Sequence, residues 1–213
     1  MRFIKSYKWL APSVAFTLLL IIIRMVCSET LVFVFIPWNI FLAILPLYFS
    51  YKAIKAANNK LTFLYTALWL LFFPNAMYIV TDLFHLQVRK NVPLWYDLLV
   101  LFSAAINGVT LGFLSLYNIE KLLVQKVRAK HVAISIFAVF ILCGYGIYLG
   151  RYLRWNSWDI VVQPFSLLSD IAYDLRHPLR NAESWSLSIL YGVWLYLIYR
   201  YLRKIPLQYR KQA

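Results

Sequence analysis

The sequence predicts an all-α fold, a polytopic transmembrane helical bundle of six spans with a broken third helix and a short exofacial amphipathic helix. The first observation behind this prediction is composition: of 213 residues, 62% are hydrophobic and 14% are charged, whereas soluble domains are about 45–50% apolar and about 25% charged. The second is that the apolar runs are long and continuous, unlike the alternating strands of a membrane barrel. The third is that basic residues cluster between these runs.

Composition also excludes several classes of protein. Six glycines, eight prolines and two cysteines are too few for a collagenous, disordered or disulfide-stabilised chain. The net charge of +14 would suit a nucleic-acid binder, but its distribution along the chain indicates membrane topology instead. No nucleic-acid partner is therefore predicted.

Six segments are long and apolar enough, or nearly so, to cross the hydrocarbon, which takes about 20 residues of helix. Their predicted bounds are about 9–27, 31–50, 61–73, 95–117, 131–150 and 185–202. The first follows three basic residues, as the apolar run of a signal peptide does, but the segment 24–27 lacks the small residues of a cleavage site. We therefore expect an uncleaved anchor.

Six spans place both termini and the loops at 51–60 and 118–130 on one side of the membrane. That side carries 15 of the 22 basic residues and one of the eight acids, Glu120. Cytoplasmic loops are enriched in Lys and Arg, so both termini are predicted to be cytoplasmic. The other acids are then exofacial, and any chemistry is expected there.

The third span is too short for the membrane. Residues 61–73 give about 20 Å of helix against a hydrocarbon core of about 30 Å. Pro74 disfavours helix at the residue before it, and Asn75 is a good N-cap. We therefore expect a break here and a second short helix over 76–88.

The short helix at 76–88 would carry a polar stripe, because Tyr78, Asp82 and His85 would fall on one helical face. Ionisable residues at membrane depth are functional candidates by default. Asp82 and His85 could act as two metal ligands or as an oriented base, although zinc needs three or four ligands. The alternative is a structural hydrogen-bond pair that anchors the broken helix.

The segment after the fifth span is a second candidate site. A helix continuing past Gly150 would place two arginines and two tryptophans on one side, next to a polar turn: Arg151, Arg154, Trp155, Asn156 and Trp158. Guanidinium groups hold phosphate or carboxylate in bidentate fashion and stack on aromatic rings. These residues, with Asn75, are the predicted ligand-binding residues; the alternative is an aromatic belt beside cations at a helix C-terminus. The pattern over 164–175 predicts a short amphipathic helix on the outer surface, where it could cover the site.

Other residues predict contacts between helices. The fourth span has small residues at four-residue spacing, which permit close packing: Ala104, Gly108 and Gly112. Asn107, on the same span, is expected to make an interhelical hydrogen bond. Arg24 needs a partner, for which Glu29, Asp82 and Asp97 are within reach.

Three runs of sequence carry a resemblance to a known family: PNAMYIVTDLFHL at 74–86, PLWYD at 93–97 and GRYLRWNSWD at 150–159. Together they resemble the bacterial integral-membrane family DUF1361, a domain of unknown function. The resemblance spans most of the chain. It implies a multi-span protein of a bacterial inner (plasma) membrane, without an established activity.

The sequence favours a binding or accessory protein, one integral membrane domain over 1–213, with an exofacial polar pocket for a lipid headgroup or an anionic ligand. Its expected partners are membrane lipids and either a membrane-protein partner or a second copy of the chain; no cofactor is predicted. The alternative is a membrane-embedded hydrolase or transferase that uses Asp82, His85, Asp97 and Asp159 as acid, base or metal ligands. A small transporter ranks third, since six spans without a detectable repeat are few for alternating access.

Overall fold

The computed structural model describes residues 2–89 and 92–210, with side chains over 3–89 and 92–204, and its regular elements are helices. The helices are α1 (Arg2–Tyr7), α2 (Ala11–Ser28), α3 (Phe35–Lys55), α4 (Asn59–Tyr78), α5 (Leu94–Lys126), α6 (Ala129–Arg151), α7 (Asp159–Val162), α8 (Pro164–Arg176) and α9 (Ala182–Arg210), with 3-10 turns at Lys8–Leu10 and Ile79–His85. They group into two compact units, residues 1–119 and 120–213.

In the first unit, α2 runs antiparallel to α5. Polar contacts show the register: Arg24 near the end of α2 meets Asp97 near the start of α5, and Thr17 meets Asn107 farther along. The Nδ2 atom of Asn107 donates to the Thr17 hydroxyl at 2.9 Å, which confirms the predicted interhelical hydrogen bond. Between the helices lies a core of aliphatic and small residues, including Ile36, Leu47, Ala76, Leu101 and Leu111.

Helix α4 does not break where the sequence predicted. It begins after Asn58, whose side chain accepts from the backbone N–H of Leu61, and continues through Pro74 to Tyr78 before tightening into the 3-10 turn. A proline is tolerated inside a membrane helix where neighbouring groups satisfy the freed backbone atoms. The carbonyl that Pro74 leaves without its helical donor is that of Leu70, four residues earlier. Asn75 lies inside the helix, where its side chain donates to the carbonyl of Phe72 at 3.1 Å, so it is not an N-cap. The predicted helix at 76–88 is therefore wrong, and the uninterrupted segment Asn59–His85 is long enough for a bilayer.

Close approach of α5 to α4 depends on small residues. A Cβ atom added to Gly108 would lie 2.6 Å from the backbone oxygen of Ala76, and one added to Gly112 would lie 2.5 Å from the terminal methyl group of Met77. Ala104 is fully buried on the same helix. The predicted small-residue stripe is therefore confirmed as a packing surface.

In the second unit, α6 packs on α9 through two glycines. A Cβ atom on Gly144 would lie 2.3 Å from the backbone oxygen of Ser188, and one on Gly192 would lie 2.7 Å from the backbone oxygen of Phe140. The two backbones thus touch with no side chain between them. Helix α8 has the amphipathic pattern and nearly the bounds that the sequence predicted.

The outward surface of both units is rich in large apolar side chains, among them Phe63, Phe102 and Leu190. Such extensive apolar exposure is typical of a surface that faces lipid. Four segments are both long and apolar enough to cross a membrane: Phe3–Ser28, Asn59–His85, Leu94–Lys126 and Ala129–Arg151. The six-span count is not confirmed: α3, whose sequence includes Pro37, Asn39 and Pro46, and α9, which carries tyrosines and arginines, are continuous helices but are not among these four segments.

Candidate functional site

A buried ionic cluster joins α2 to the start of α5. The Nε atom of Arg24 lies 3.0 Å from Oδ1 of Asp97, and Nη2 lies 3.4 Å from Oδ2. Their side chains are each 1% exposed. The sequence allowed three partners for Arg24, and in the structure its partner is Asp97.

A second arginine, Arg89, completes this cluster. Its Nη1 atom lies 3.0 Å from Oδ2 of Asp97, and its Nη2 atom donates to the carbonyl of His85. The ring of Phe33 lies against both guanidinium groups, 4.7 Å from that of Arg24 and 5.2 Å from that of Arg89. The sequence analysis missed Arg89, because the residues around it form no recognisable motif. One signal was available: the charges of Arg24 and Asp97 would cancel, and the loop next to Asp97 carries another arginine.

Asp82 and His85 lie on the 3-10 turn that follows α4. Asp82 is 1% exposed, and its Oδ2 atom accepts a hydrogen bond of 2.8 Å from Nδ2 of Asn39 on α3. The His85 ring lies 5.0 Å from that of Phe35. Because a 3-10 helix repeats every three residues, Asp82 and His85 share a face, but the predicted α-helical stripe with Tyr78 does not form.

The metal hypothesis needs at least a third ligand. Across residues 2–89 and 92–210, no group of three or more His, Cys, Asp or Glu side chains is arranged to hold a metal ion. Asp82 is instead engaged by Asn39, and Asp97 by two arginines. Both contacts tie helices together, and neither is the Asp82–His85 pair of the structural alternative.

The segment after α6 is a loop and not the continued helix that the sequence considered. The helix ends at Arg151 because the chain turns at Arg154, whose φ of 61° lies in the left-handed region. The backbone N–H of Trp155 then donates to the carbonyl of Leu149 at 3.0 Å. Helices commonly end with a left-handed residue, but glycine usually occupies that position. The predicted single helical face of arginines and tryptophans therefore does not exist.

Two carboxylates fix this loop from inside the second unit. Oδ2 of Asp159 accepts from the backbone N–H of Asn156 at 2.7 Å and from its side-chain amide at 3.2 Å. Oδ2 of Asp170, on α8, accepts from the indole N–H of Trp155 at 2.9 Å. Arg154 and Trp158 are exposed on the loop. Five predicted ligand residues thus lie on one ordered segment, which we call the arginine loop (residues 151–158).

A buried acid that the sequence analysis did not single out anchors α8. The Asp174 carboxylate accepts a hydrogen bond of 2.9 Å from the hydroxyl of Tyr145 on α6 and one of 2.7 Å from the side-chain amide of Asn181. The indole N–H of Trp185 donates to the Asp174 carbonyl at 3.4 Å. An amphipathic period marks Asp174 as polar and outward, so its burial follows from the packing of α8 on α6 and could not be read from the period alone.

Comparisons with known proteins identify a family without an assigned activity. A search of curated proteins and a search of solved structures both returned no match. The family described as a protein of unknown function, DUF1361, matches residues 38–198, a range that includes α4, α5, α6 and the arginine loop. The chain therefore belongs to the DUF1361 family.

Proposed function

We propose that this protein is an integral membrane binding or accessory protein that holds an anionic group, phosphate or carboxylate, at the arginine loop. The observation that carries the proposal is Arg154 in the left-handed backbone region. A non-glycine residue there costs about 1–2 kcal/mol, and strained residues that persist cluster at functional sites. The side chain of Arg154 is exposed on this loop.

The chemistry of the loop supports this role. Arg151 at the end of α6 and exposed Arg154 supply two guanidinium groups, which bind oxyanions in bidentate fashion. Trp158, 39% exposed, supplies an amphipathic ring of the kind that lies at membrane interfaces. Hydrogen bonds from Trp155 and Asn156 to two carboxylates hold the loop in place. The free-energy cost of ordering the loop when a ligand binds is therefore small.

The proposed topology retains six spans in a bacterial inner membrane, with both termini cytoplasmic. Helices α3 and α9, of 21 and 29 residues, are long enough to be the second and sixth spans. The excess of basic residues near the termini and in the loops at 51–60 and 118–130 supports the orientation. The arginine loop then lies at the outer face.

The hydrolase or transferase alternative receives less support. All three of its carboxylates are engaged within their own units: Asp82 by Asn39, Asp97 by two arginines and Asp159 by Asn156. These contacts fix helices and a loop. They favour binding over acid-base chemistry.

The test compares Arg154→Gly with wild type in detergent, by native mass spectrometry against phosphatidylglycerol, phosphatidylcholine and inorganic phosphate. Glycine suits the backbone at this position, so the variant removes the guanidinium and leaves the loop intact. We expect a loss of anion binding of about tenfold, the scale of one charged hydrogen-bonded contact, with partial retention in Arg154→Lys. Arg180→Gly, an exposed arginine in the turn before α9, is the matched control.

The arms of this experiment separate the sources of the anion. Loss of phosphatidylglycerol adducts alone identifies a lipid headgroup, and loss of phosphate binding identifies a soluble anion. If Arg154→Gly binds all three probes as wild type does, the proposal is wrong.

A further inference from the structure

The C-terminal part of α9 presents a second cationic site, separate from the arginine loop. Five residues at helical spacing form one face of this helix: Tyr196, Tyr199, Arg200, Arg203 and Lys204. With Glu120 and two residues of α6, they line a recess of about 230 Å³. We call it the α9 recess.

One carboxylate in the α9 recess is already neutralised. Glu120 accepts a hydrogen bond from the hydroxyl of Tyr199 and forms an ion pair with Arg203, whose Nε atom lies 3.1 Å from Oε2. The side chain of Glu120 is 18% exposed and that of Arg203 is 43% exposed. This pair fixes one wall of the recess without adding net charge.

Two cations in the recess remain in excess. Arg200 and Lys204 are both exposed, and neither has an acidic partner within the portion of the chain that the structure describes. The guanidinium of Arg200 lies 5.9 Å from the ring centroid of Tyr196, at a distance where the ring attracts a cation. The recess therefore has two uncompensated positive charges, one of them beside an aromatic ring.

The remaining wall of the recess is apolar. Ala133 and Ile136 of α6 supply it, and both belong to a segment apolar enough to cross a membrane. A site that is cationic on one side and apolar on the other matches a phosphodiester attached to a glycerol backbone better than a fully hydrated anion. Basic recesses between helices on the cytoplasmic side bind anionic headgroups.

We propose that the α9 recess binds the phosphodiester headgroup of an anionic phospholipid through Arg200 and Lys204, with the Glu120–Arg203 pair as its fixed wall. The proposal is independent of the arginine loop, since none of its residues contributes to that segment. Glu120 competes with the headgroup for Arg203. Removal of its charge therefore strengthens lipid binding, which a purely structural role for the pair does not explain.

The experiment uses the full-length protein in detergent and counts adducts of phosphatidylglycerol and phosphatidylcholine by native mass spectrometry. The double variant Arg200→Gln, Lys204→Gln is compared with Lys55→Gln, Lys60→Gln, which removes two exposed cations that the predicted topology places on the same side of the membrane. We expect the first variant to lower phosphatidylglycerol affinity about tenfold, because it removes two basic contacts to the headgroup. The second should change the affinity less than about twofold, because its lysines do not line the recess and act on the headgroup only through a potential that salt screens.

Two further measurements distinguish a bound lipid from a free anion and test the role of Glu120. Glu120→Gln is expected to raise phosphatidylglycerol affinity about threefold, the scale of one additional basic contact. Inorganic phosphate that displaces phosphatidylglycerol at millimolar concentration would indicate a free-anion site and overturn the lipid assignment. Equal losses in the two double variants would show a diffuse surface effect and also overturn it.

Discussion

The guanidinium of Arg24 and the carboxylate of Asp97 form an ion pair, 3.0 Å from Nε to Oδ1, in which both side chains are 99% buried. Charges removed from water need excellent geometry and further hydrogen bonds. Ser28 and Thr30 accept from Nη1 of Arg24, and Arg89 provides the second contact to Asp97. The cluster is therefore fully engaged and fixes α2 against α5.

Asp97→Asn is expected to destabilise the first unit strongly, because it leaves two arginines around a neutral amide. Removing one partner of a buried pair costs about 3–5 kcal/mol, which denaturant or thermal unfolding in detergent measures. Glu29→Gln, at an exposed position just after α2, is the control. Equal stability of the two variants would contradict a structural role for the pair.

Gly144→Ala is expected to separate α6 from α9. Its new Cβ atom would lie 2.3 Å from a backbone oxygen, which cannot rotate away, and overpacking of this kind costs about 1–3 kcal/mol. Gly146→Ala makes the same substitution at a half-buried position of the same helix and is the matched control. The control should be neutral or slightly stabilising, since alanine favours helix over glycine; a control as unstable as Gly144→Ala would refute the contact.

Arg154→Gly and Arg154→Ala are expected to differ in stability although both delete the same side chain. Glycine adopts the left-handed conformation without a Cβ penalty, so Arg154→Gly should be more stable than Arg154→Ala by about 1 kcal/mol. Thermal unfolding of the two proteins side by side gives this difference. A more stable alanine variant would mean that the loop does not hold a left-handed backbone at this position.

Asp174→Ala is expected to loosen α8 while leaving the first unit unchanged. It removes the acceptor for Tyr145 and Asn181, and an unsatisfied buried partner costs about 1–3 kcal/mol. Hydrogen exchange of the α8 peptides should become faster, with no change in α2 or α5. Glu183→Gln, an exposed acid nearby in sequence, should leave exchange unaltered.

The sequence predicts helices well where the apolar run is continuous, and less well where it contains prolines. The start of α6 and the whole of α8 lie close to their predicted positions, because hydropathy and amphipathic period reflect burial directly. Pro74 misled the prediction, since it lies inside α4, which continues to Tyr78 and then tightens into the 3-10 turn. The local preference of a proline does not show whether the packed helix accommodates it.

At the candidate site, too, the sequence predicts some features, and others become visible only in the folded structure. Composition and motif pointed to Arg154 and its neighbours as a group, but not to the left-handed turn at Arg154 or to the hydrogen bonds that Asp159 and Asp170 accept from the loop. Arg89 and Asp174 each have a partner near in sequence, Asp97 and Asn181, but each is also packed against a distant side chain that the sequence does not reveal: Phe33 for the first and Tyr145 for the second. Such pairings arise only when helices pack.

The glycine contacts between α6 and α9 make these two helices a closely packed pair. Residues of α6 lie at both ends, Ala133 in the wall of the α9 recess and Arg151 at the start of the arginine loop, about 27 Å apart along the helix. That distance is close to the thickness of a hydrocarbon core, about 30 Å. Because backbone touches backbone at Gly144 and Gly192, the two helices are expected to move together. In a bilayer thinner than its apolar length, the pair is expected to tilt as one body, because tilting shortens the span measured along the membrane normal.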